Sequence, residues 1–124
     1  FDFINSDKTI WITPHHYNPK YDQTNTSGYF CVQFIPIKNT HESKIVIDEW
    51  ERQCKDWCYA RAEDGKFGDQ LYLEDWPARF HGVRVLEHCG GGVAPWNHSN
   101  YLFSVDVAGQ PLVDGHPLIF YHFH

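Results

Sequence analysis

The sequence has no methionine, and no lysine or arginine follows Arg84. It contains 10 Lys and Arg against 16 Asp and Glu, which gives a formal net charge of −6. Phosphate binding requires clustered cationic side chains, so this balance argues against a nucleic-acid partner. No hydrophobic run exceeds four residues, whereas a membrane-spanning helix needs about 20. The sequence therefore predicts neither a nucleic-acid-binding protein nor a transmembrane segment.

The start of the chain also lacks a basic region followed by an apolar stretch, which is the pattern of a secretory signal peptide. Its first residue is Phe1 rather than methionine. A chain of 124 residues can bury one hydrophobic core and is too short for two ordinary domains. We therefore expect one domain over residues 1–124, taken from a longer chain. We expect a cytoplasmic location and leave peripheral attachment to a membrane open.

The four cysteines form neither a zinc-binding C-x-x-C pair nor the dense framework of a small secreted domain. Two of them, Cys54 and Cys58, are spaced i, i+4 within a helical pattern. Free cysteine is commonly buried and behaves as a small apolar residue. We therefore expect reduced thiols rather than disulfides.

Hydrophobic periodicity predicts an α/β fold, a mixed sheet with one long and one short helix. The long helix should begin at the N-cap Ser43, end near Arg61 and bury one apolar stripe. The short helix should be capped by Asp69 and stopped at Trp76 by Pro77. The stripe of the long helix comprises Ile47, Trp50, Cys54, Trp57 and Cys58. The predicted strands cover residues 8–13, 29–37, 83–86, 101–107 and 118–122.

Histidines and carboxylates are the first candidates for chemistry. His122 and His124 would lie on one side of the last predicted strand, a spacing that can serve a metal ion. The alternative is that His122 packs at the edge of the core. For Asp69, helix capping is the alternative to a catalytic role.

Glycines and aromatic side chains are the next candidates. The loop from Cys89 to Gly92 contains three consecutive glycines, which permit either close backbone approach to a ligand or a plain turn. Aromatic rings near polar groups could stack on sugars, with core packing as the alternative for each of them. These rings belong to Trp76, Trp96, Tyr101, Phe120 and Tyr121.

Four motifs, in this order, resemble bacterial nucleotide-sugar glycosyltransferases of the GT-A type. The first resembles the strand end of those enzymes, the second their Asp-Gln region, the third the segment that follows it and the fourth their closing strand. The motifs are Ile10-Trp11-Ile12-Thr13-Pro14-His15-His16, Phe67-Gly68-Asp69-Gln70-Leu71-Tyr72-Leu73-Glu74-Asp75-Trp76-Pro77, Gly92-Val93-Ala94-Pro95-Trp96-Asn97 and Pro117-Leu118-Ile119-Phe120-Tyr121-His122-Phe123-His124. The resemblance implies the C-terminal, acceptor-side half of such an enzyme, distantly similar to glycogenin, in surface-polysaccharide synthesis.

The resemblance also implies roles for individual residues. Asp69 and Gln70 would bind or orient the transferred sugar, and His122 would be one ligand of a catalytic Mn²⁺ or Mg²⁺ ion. The substrate-binding residues would be Gly91, Gly92, Trp96 and Asn97. The partners implied are a nucleotide-sugar donor, a saccharide acceptor and the N-terminal half of the same chain.

The sequence departs from the family pattern in two places. Cys31 and Gln33 replace an Asn and a Gly of the usual Y-N-x-G-F motif, and the Gln33 side chain should narrow the sugar site. No Asp-x-Asp precedes the Thr-Pro-His strand, so the chain alone should be inactive and should bind Mn²⁺ weakly. Two alternatives stay open. One is a non-catalytic carbohydrate-recognition or scaffolding module beside another domain such as a methyltransferase, and the other is a small histidine-rich metal-binding domain.

Overall fold

The computed structural model describes residues 3–123, which form a mixed α/β arrangement of two three-stranded sheets and three α-helices. The strands are β1 (Ile10–Pro14), β2 (Phe30–Cys31), β3 (Val83–Val85), β4 (Phe103–Val105), β5 (Pro111–Val113) and β6 (His116–Pro117). The helices are α1 (Thr24–Ser27), α2 (His41–Asp56) and α3 (Trp76–Arg79). Single 3₁₀ turns lie at Pro19–Tyr21, Leu71–Leu73, Cys89–Gly91 and His98–Asn100. The α/β class predicted from the sequence is confirmed at this level.

The first sheet has the order β2-β1-β3, with β1 buried along its whole length. β1 runs antiparallel to β2, where Thr13 faces Cys31, and parallel to β3. β1 is the central strand, and the residue that follows its carboxyl end, His15, is buried while His16 is exposed. The second sheet is antiparallel, has the order β4-β5-β6 and lies near the chain end.

The N-cap of the long helix α2 lies three residues before the predicted cap, and α2 ends five residues before Arg61. Thr40 is the N-cap, because its hydroxyl accepts a hydrogen bond from the Ser43 backbone while the Ser43 hydroxyl accepts one from the Thr40 backbone. This reciprocal pair is a capping box. The helix stops at Asp56 because Trp57 takes an extended conformation, with φ −158° and ψ 123°.

The hydrophobic core lies between α2, the first sheet and the segment that leads into α3. Trp76 is only 1% exposed, and the ring of Trp50 meets it edge to face at a centroid distance of 5.5 Å. Ile47 and Trp50 pack against this core, as the stripe predicts. Trp57 lies past the helix end, and Cys58 is exposed. The predicted stripe is therefore right for the first turns of α2 and wrong for its last members.

The predicted short helix from Asp69 to Trp76 is wrong. The chain forms a 3₁₀ turn and then α3, which begins at Trp76 and has Pro77 in its first turn. Proline is tolerated there because the first helical N–H groups have no partner within the helix. Neither element has a side-chain cap, so Asp69 caps no helix.

Two predicted strands are also much shorter or absent. Of residues 29–37, only Phe30 and Cys31 form ladder pairs, and Ile37 makes an isolated bridge to Ile10. Residues 118–122 form no strand, although Tyr121 makes an isolated parallel bridge to Val93. His124 lies outside the described residues. No helix between residues 3 and 123 is both long and apolar enough to cross a membrane.

Candidate functional site

His15 follows the last residue of β1 and is 3% exposed. Its backbone N–H donates to the carbonyl of Tyr29 at 2.8 Å, and its Nδ1 donates to the same oxygen at 3.3 Å. Burial lowers the pKa of His15 to about 4, and an electrostatic effect of His122 adds to this lowering. The imidazole is therefore neutral near pH 7, with its proton on Nδ1 and a lone pair on Nε2.

The carbonyl of His15 is held from the other side by two adjacent residues. The Trp96 indole donates to it at 3.0 Å and the Asn97 amide at 2.7 Å. Asn97 is fully buried, donates its second amide hydrogen to the Gly92 carbonyl at 2.8 Å and accepts from the Ala94 N–H at 2.9 Å. Both amide hydrogens of Asn97 are thus used inside the protein. It fixes the glycine loop to the end of β1, and its contact with substrate stays a prediction.

The C-terminal segment lies along the glycine loop. The Gly90 carbonyl accepts hydrogen bonds from the N–H groups of Ile119 and Phe120, at 2.8 and 2.9 Å. The Val93 carbonyl accepts one from the His122 N–H at 2.9 Å. These bonds bring the His122 ring to a centroid distance of 5.3 Å from the Trp96 ring. The third and fourth motifs therefore meet at this point.

We call His15, Tyr17, Trp96 and His122 the strand-end cluster. The Tyr17 ring stacks on the His15 imidazole at 4.5 Å with an interplanar angle of 10°. Trp96 meets the His15 ring edge-on at 5.6 Å and the Tyr17 ring at 6.2 Å. Three of the four sequence motifs thus contribute to one aromatic and imidazole cluster.

The resemblance also implies a metal ion in this region, with His122 as one of its ligands. Within residues 3–123, no group of three or more His, Cys, Asp or Glu side chains could hold one. His122 contacts Trp96 rather than a carboxylate pair. The described residues therefore do not make a coordination shell by themselves.

Gln70 lies beside the cluster but is used structurally. Its Nε2 donates to the Ser27 carbonyl at 2.8 Å. The Ser27 side chain lies close enough to the Tyr17 hydroxyl to offset in part the rise in the pKa of Tyr17 that burial causes. One turn later, Glu74 Oε1 accepts from the N–H groups of Tyr29 at 2.7 Å and Phe30 at 3.1 Å. Together, Gln70 and Glu74 hold the chain from α1 to β2 in place.

Asp69 differs from its neighbour because no hydrogen bond or ion pair involves its carboxylate in the part of the chain that the structure describes. Its backbone carbonyl accepts the indole N–H of Trp50 at 2.8 Å. Burial raises the pKa of the Cys31 thiol to about 11, and the nearby Asp69 carboxylate adds to that rise. Cys31 also interacts electrostatically with Tyr17. The Asp69 carboxylate is thus close enough to Cys31 of β2 to act on it electrostatically. Cys31 in turn is close enough to act on Tyr17, which belongs to the strand-end cluster.

The predicted glycines lie on the buried side of the site. Gly91 and Gly92 are both buried, and Gly91 packs under the Leu86 side chain. The Gln33 amide donates to the Gly92 carbonyl at 3.3 Å. Gln33, which replaces a glycine of the resembled motif, therefore lies against the loop that was predicted to border the sugar. Its effect on sugar binding stays a prediction.

Two cavities flank the first sheet. A cavity of about 200 Å³ opens beside the cluster, between the end of β1 and α1. Its walls are His15, His16, Tyr17, Asp22, Thr24 and Tyr29. A larger cavity of about 440 Å³ lies along β3, lined by residues such as Trp11, Arg84 and His88. None of the predicted site residues lines either cavity. The smaller cavity is the one that adjoins the strand-end cluster, because His15 and Tyr17 belong to its walls.

Sequence reasoning missed Tyr17, Asp22 and Tyr29 as parts of this region. Residues 18–28 are rich in Asn, Asp, Gln, Thr and Ser, and nothing in this stretch singles out Asp22. One signal in the sequence points to this region, namely the Thr-Pro-His motif at the end of β1. Residues that follow a central strand lie where other loops converge. Which loops converge there depends on contacts between residues far apart in sequence.

The chain is similar to two curated proteins of Bacillus subtilis (strain 168). It is 34% identical to the uncharacterized protein YfnD over 96% of this chain and 39% of YfnD. It is also 34% identical to the uncharacterized protein YfnF over 77% of this chain and 32% of YfnF. The chain thus spans less than half the length of these relatives. No family model matches it, and no solved structure matches it either.

Proposed function

We propose that this chain is the acceptor-side portion of a bacterial GT-A-type glycosyltransferase, which moves a sugar from a nucleotide-sugar donor to a saccharide acceptor in surface-polysaccharide synthesis. The observation that supports this most is the convergence of the resembled motifs. His15 and His122 lie far apart in sequence, and Trp96 contacts both of them at the end of β1. If these motifs were only segments of a hydrophobic core, nothing would require them to meet at one point beside a cavity.

Asp69 supports the same proposal independently. A carboxylate that neither caps a helix nor pairs with a cation leaves its charge available to a ligand. Acidic groups near a donor sugar can hydrogen-bond its hydroxyl groups with the added strength of the charge. Asp69 would bind the sugar in this role, and Gln70 would hold the Ser27–Tyr17 wall.

The proposal places the remaining parts of the active site outside these 124 residues. Both relatives are longer than this chain, which leaves room for a nucleotide-binding half. A Mn²⁺ or Mg²⁺ ion would take His122 as one ligand at most, with its carboxylate ligands contributed by that half. The four free cysteines support a cytoplasmic location.

The test uses the longer protein that contains this chain, purified and supplied with Mn²⁺ and a panel of nucleotide sugars. We expect release of nucleoside diphosphate from at least one donor, stimulated by an oligosaccharide acceptor. The isolated chain should release none. Absence of release from every donor, with the longer protein folded, would count against the enzyme.

The second candidate is a non-catalytic carbohydrate-recognition module. One observation favours it: Gln33 and Asn97 both bond to the Gly92 carbonyl, which closes the glycine loop against direct use of that oxygen by a ligand. This candidate predicts saccharide binding without nucleoside diphosphate release. The donor panel distinguishes the two candidates directly.

A further inference from the structure

The smaller cavity beside the strand-end cluster has the composition of a binding site for a small polar ring. His15, Tyr17 and Tyr29 provide ring surfaces, while Asp22 and Thr24 provide polar groups. Small-molecule sites typically combine aromatic walls with a few placed polar groups, and those for drug-sized ligands measure ~300–1,000 Å³. At about 200 Å³, this cavity has room for one ring rather than a chain of them.

Asp22 is the charged group of the cavity. Its Oδ1 accepts hydrogen bonds from the Thr24 N–H at 2.9 Å and from the Thr24 hydroxyl at 2.6 Å. Its Oδ2 accepts no hydrogen bond from any residue that the structure describes. These bonds to Thr24 lower the pKa of Asp22, so it stays ionised near neutral pH. The carboxylate is therefore oriented through one oxygen and offers the other to a hydroxyl donor.

The aromatic wall is held in position by residues outside the cavity. Tyr17 is held by its stacking on His15. The neighbouring Ser27 is held by the hydrogen bond that its carbonyl accepts from Gln70. Tyr29 is fixed through its backbone by Glu74, while its side chain remains 48% exposed. A wall held in this way loses little conformational freedom when a ligand binds.

We infer that this cavity binds one neutral hexopyranose ring of the saccharide acceptor, with Asp22 accepting from its hydroxyl groups and Tyr29 packing on its apolar face. The assignment to an acceptor rests on the proposed function. A neutral sugar fits better than a uronic acid because a second carboxylate would face Asp22 in a chain whose formal net charge is already −6.

The experiment is an NMR titration of the 124-residue chain with the methyl glycosides of glucose, galactose, mannose and glucuronic acid at millimolar concentrations. We expect saturable shifts from at least one neutral glycoside, centred on the amides of residues 15–17, 22–24 and 29. The glucuronide should bind more weakly than that neutral glycoside. Asp22→Asn keeps an oxygen for the Thr24 bonds and should weaken binding at least about fivefold.

Tyr29→Ala is the second variant and should weaken binding about tenfold, because it removes the exposed ring. Asp48→Asn is the matched control, since it removes the same charge from a surface ion pair on α2 and should leave binding unchanged. The inference is overturned if no neutral glycoside gives saturable shifts, if the shifts map elsewhere or if the glucuronide binds as tightly.

The two proposals fail in different ways. If the longer protein transfers sugar and this cavity binds none, the cavity assignment fails and the enzyme stands. If the cavity binds a glycoside and the longer protein releases no nucleoside diphosphate, the enzyme fails and the binding site stands.

Discussion

The Asn97 side chain donates a 2.7 Å hydrogen bond to the carbonyl of His15, a residue 82 positions earlier in the chain. This bond joins the glycine loop to the end of the central strand in a place without solvent access. Because Trp96 donates to the same oxygen, two consecutive residues determine where the loop meets β1. The geometry of the strand-end cluster depends on this junction.

Replacing Asn97 tests the junction. Asn97→Ala removes three buried hydrogen bonds and leaves the Ala94 N–H without its partner. We expect the free energy of unfolding to fall by about 2 kcal/mol or more, since an unpaired buried polar group costs ~1–3 kcal/mol. Urea unfolding followed by tryptophan fluorescence measures this. Ser99→Ala, an exposed neighbour, should change stability by less than about 0.5 kcal/mol, and equal effects of both variants would contradict the account.

Two glycines of the loop give a matched pair with opposite expectations. A Cβ on Gly90 would collide with the backbone carbonyl of Pro117, which cannot rotate away. A Cβ on Gly92 would meet its nearest neighbour, the Gln33 amide, at 3.6 Å, an ordinary contact. We expect Gly90→Ala to cost about 1–3 kcal/mol and Gly92→Ala less than about 0.5 kcal/mol. Thermal melts of both variants provide the comparison, and a larger loss for Gly92→Ala would show that the loop is packed differently.

The lowered pKa of His15 implies that the stability of the fold depends on pH. Burial lowers the pKa of His15 from 6.5 to about 4 in the folded chain. Between these values the unfolded chain binds a proton that the folded chain does not, so His15 contributes stability that is fully present above pH 6.5 and is lost as the pH falls toward 4. Stability should therefore fall more steeply over this range in the native sequence than in His15→Asn.

The measurement is the free energy of unfolding of both proteins at a series of pH values between 4 and 8, bracketing the range above. Asparagine retains an N–H that can reach the Tyr29 carbonyl but has no proton to gain. Parallel curves for the two proteins would mean that His15 titrates normally in the folded chain.

The cysteines should differ sharply in reactivity. Burial raises the pKa of the thiols of Cys31 and Cys54 to about 11, and Cys31 is only 4% exposed. Cys58 is exposed. Alkylation proceeds through the thiolate, so iodoacetamide at mildly alkaline pH should modify Cys58 first and Cys31 only after unfolding. Mass spectrometry of timed samples checks this order, and native labelling of Cys31 at the rate of Cys58 would contradict it.

Local patterns in the sequence predict α2 and β1 well, because a 3.6-residue period and a run of β-branched residues are each properties of a single segment. Local patterns fail where contacts with residues distant in sequence determine whether a segment forms a strand. Residues 29–37 are rich in strand formers, but only Phe30 and Cys31 have a ladder partner in β1. Residues 118–122 are equally rich in them, and their backbone binds the glycine loop instead.

The candidate site was predicted in part. Asp69, Trp96 and His122 were expected from the resemblance, and Trp96 and His122 do meet at the end of β1. The bond from Gln70 to Ser27 spans 43 positions, and no local pattern marks either residue for the other. Asp22 and Tyr29 were missed for the same reason, since the cavity joins residues that follow β1 to residues before and after α1.

The central claim is that Asp69 contributes its carboxylate to sugar transfer. Asp69 caps no helix and its carboxylate pairs with no residue among those described, so Asp69→Asn should leave the free energy of unfolding within about 0.5 kcal/mol of the native value. The most direct measurement is the transfer rate of the longer protein, supplied with donor, acceptor and Mn²⁺, with and without this substitution. We predict a loss of at least about 100-fold, ~2.7 kcal/mol of barrier, as is typical when one electrostatic contact to the transition state is removed. Full transfer activity in a correctly folded Asp69→Asn protein would contradict the account.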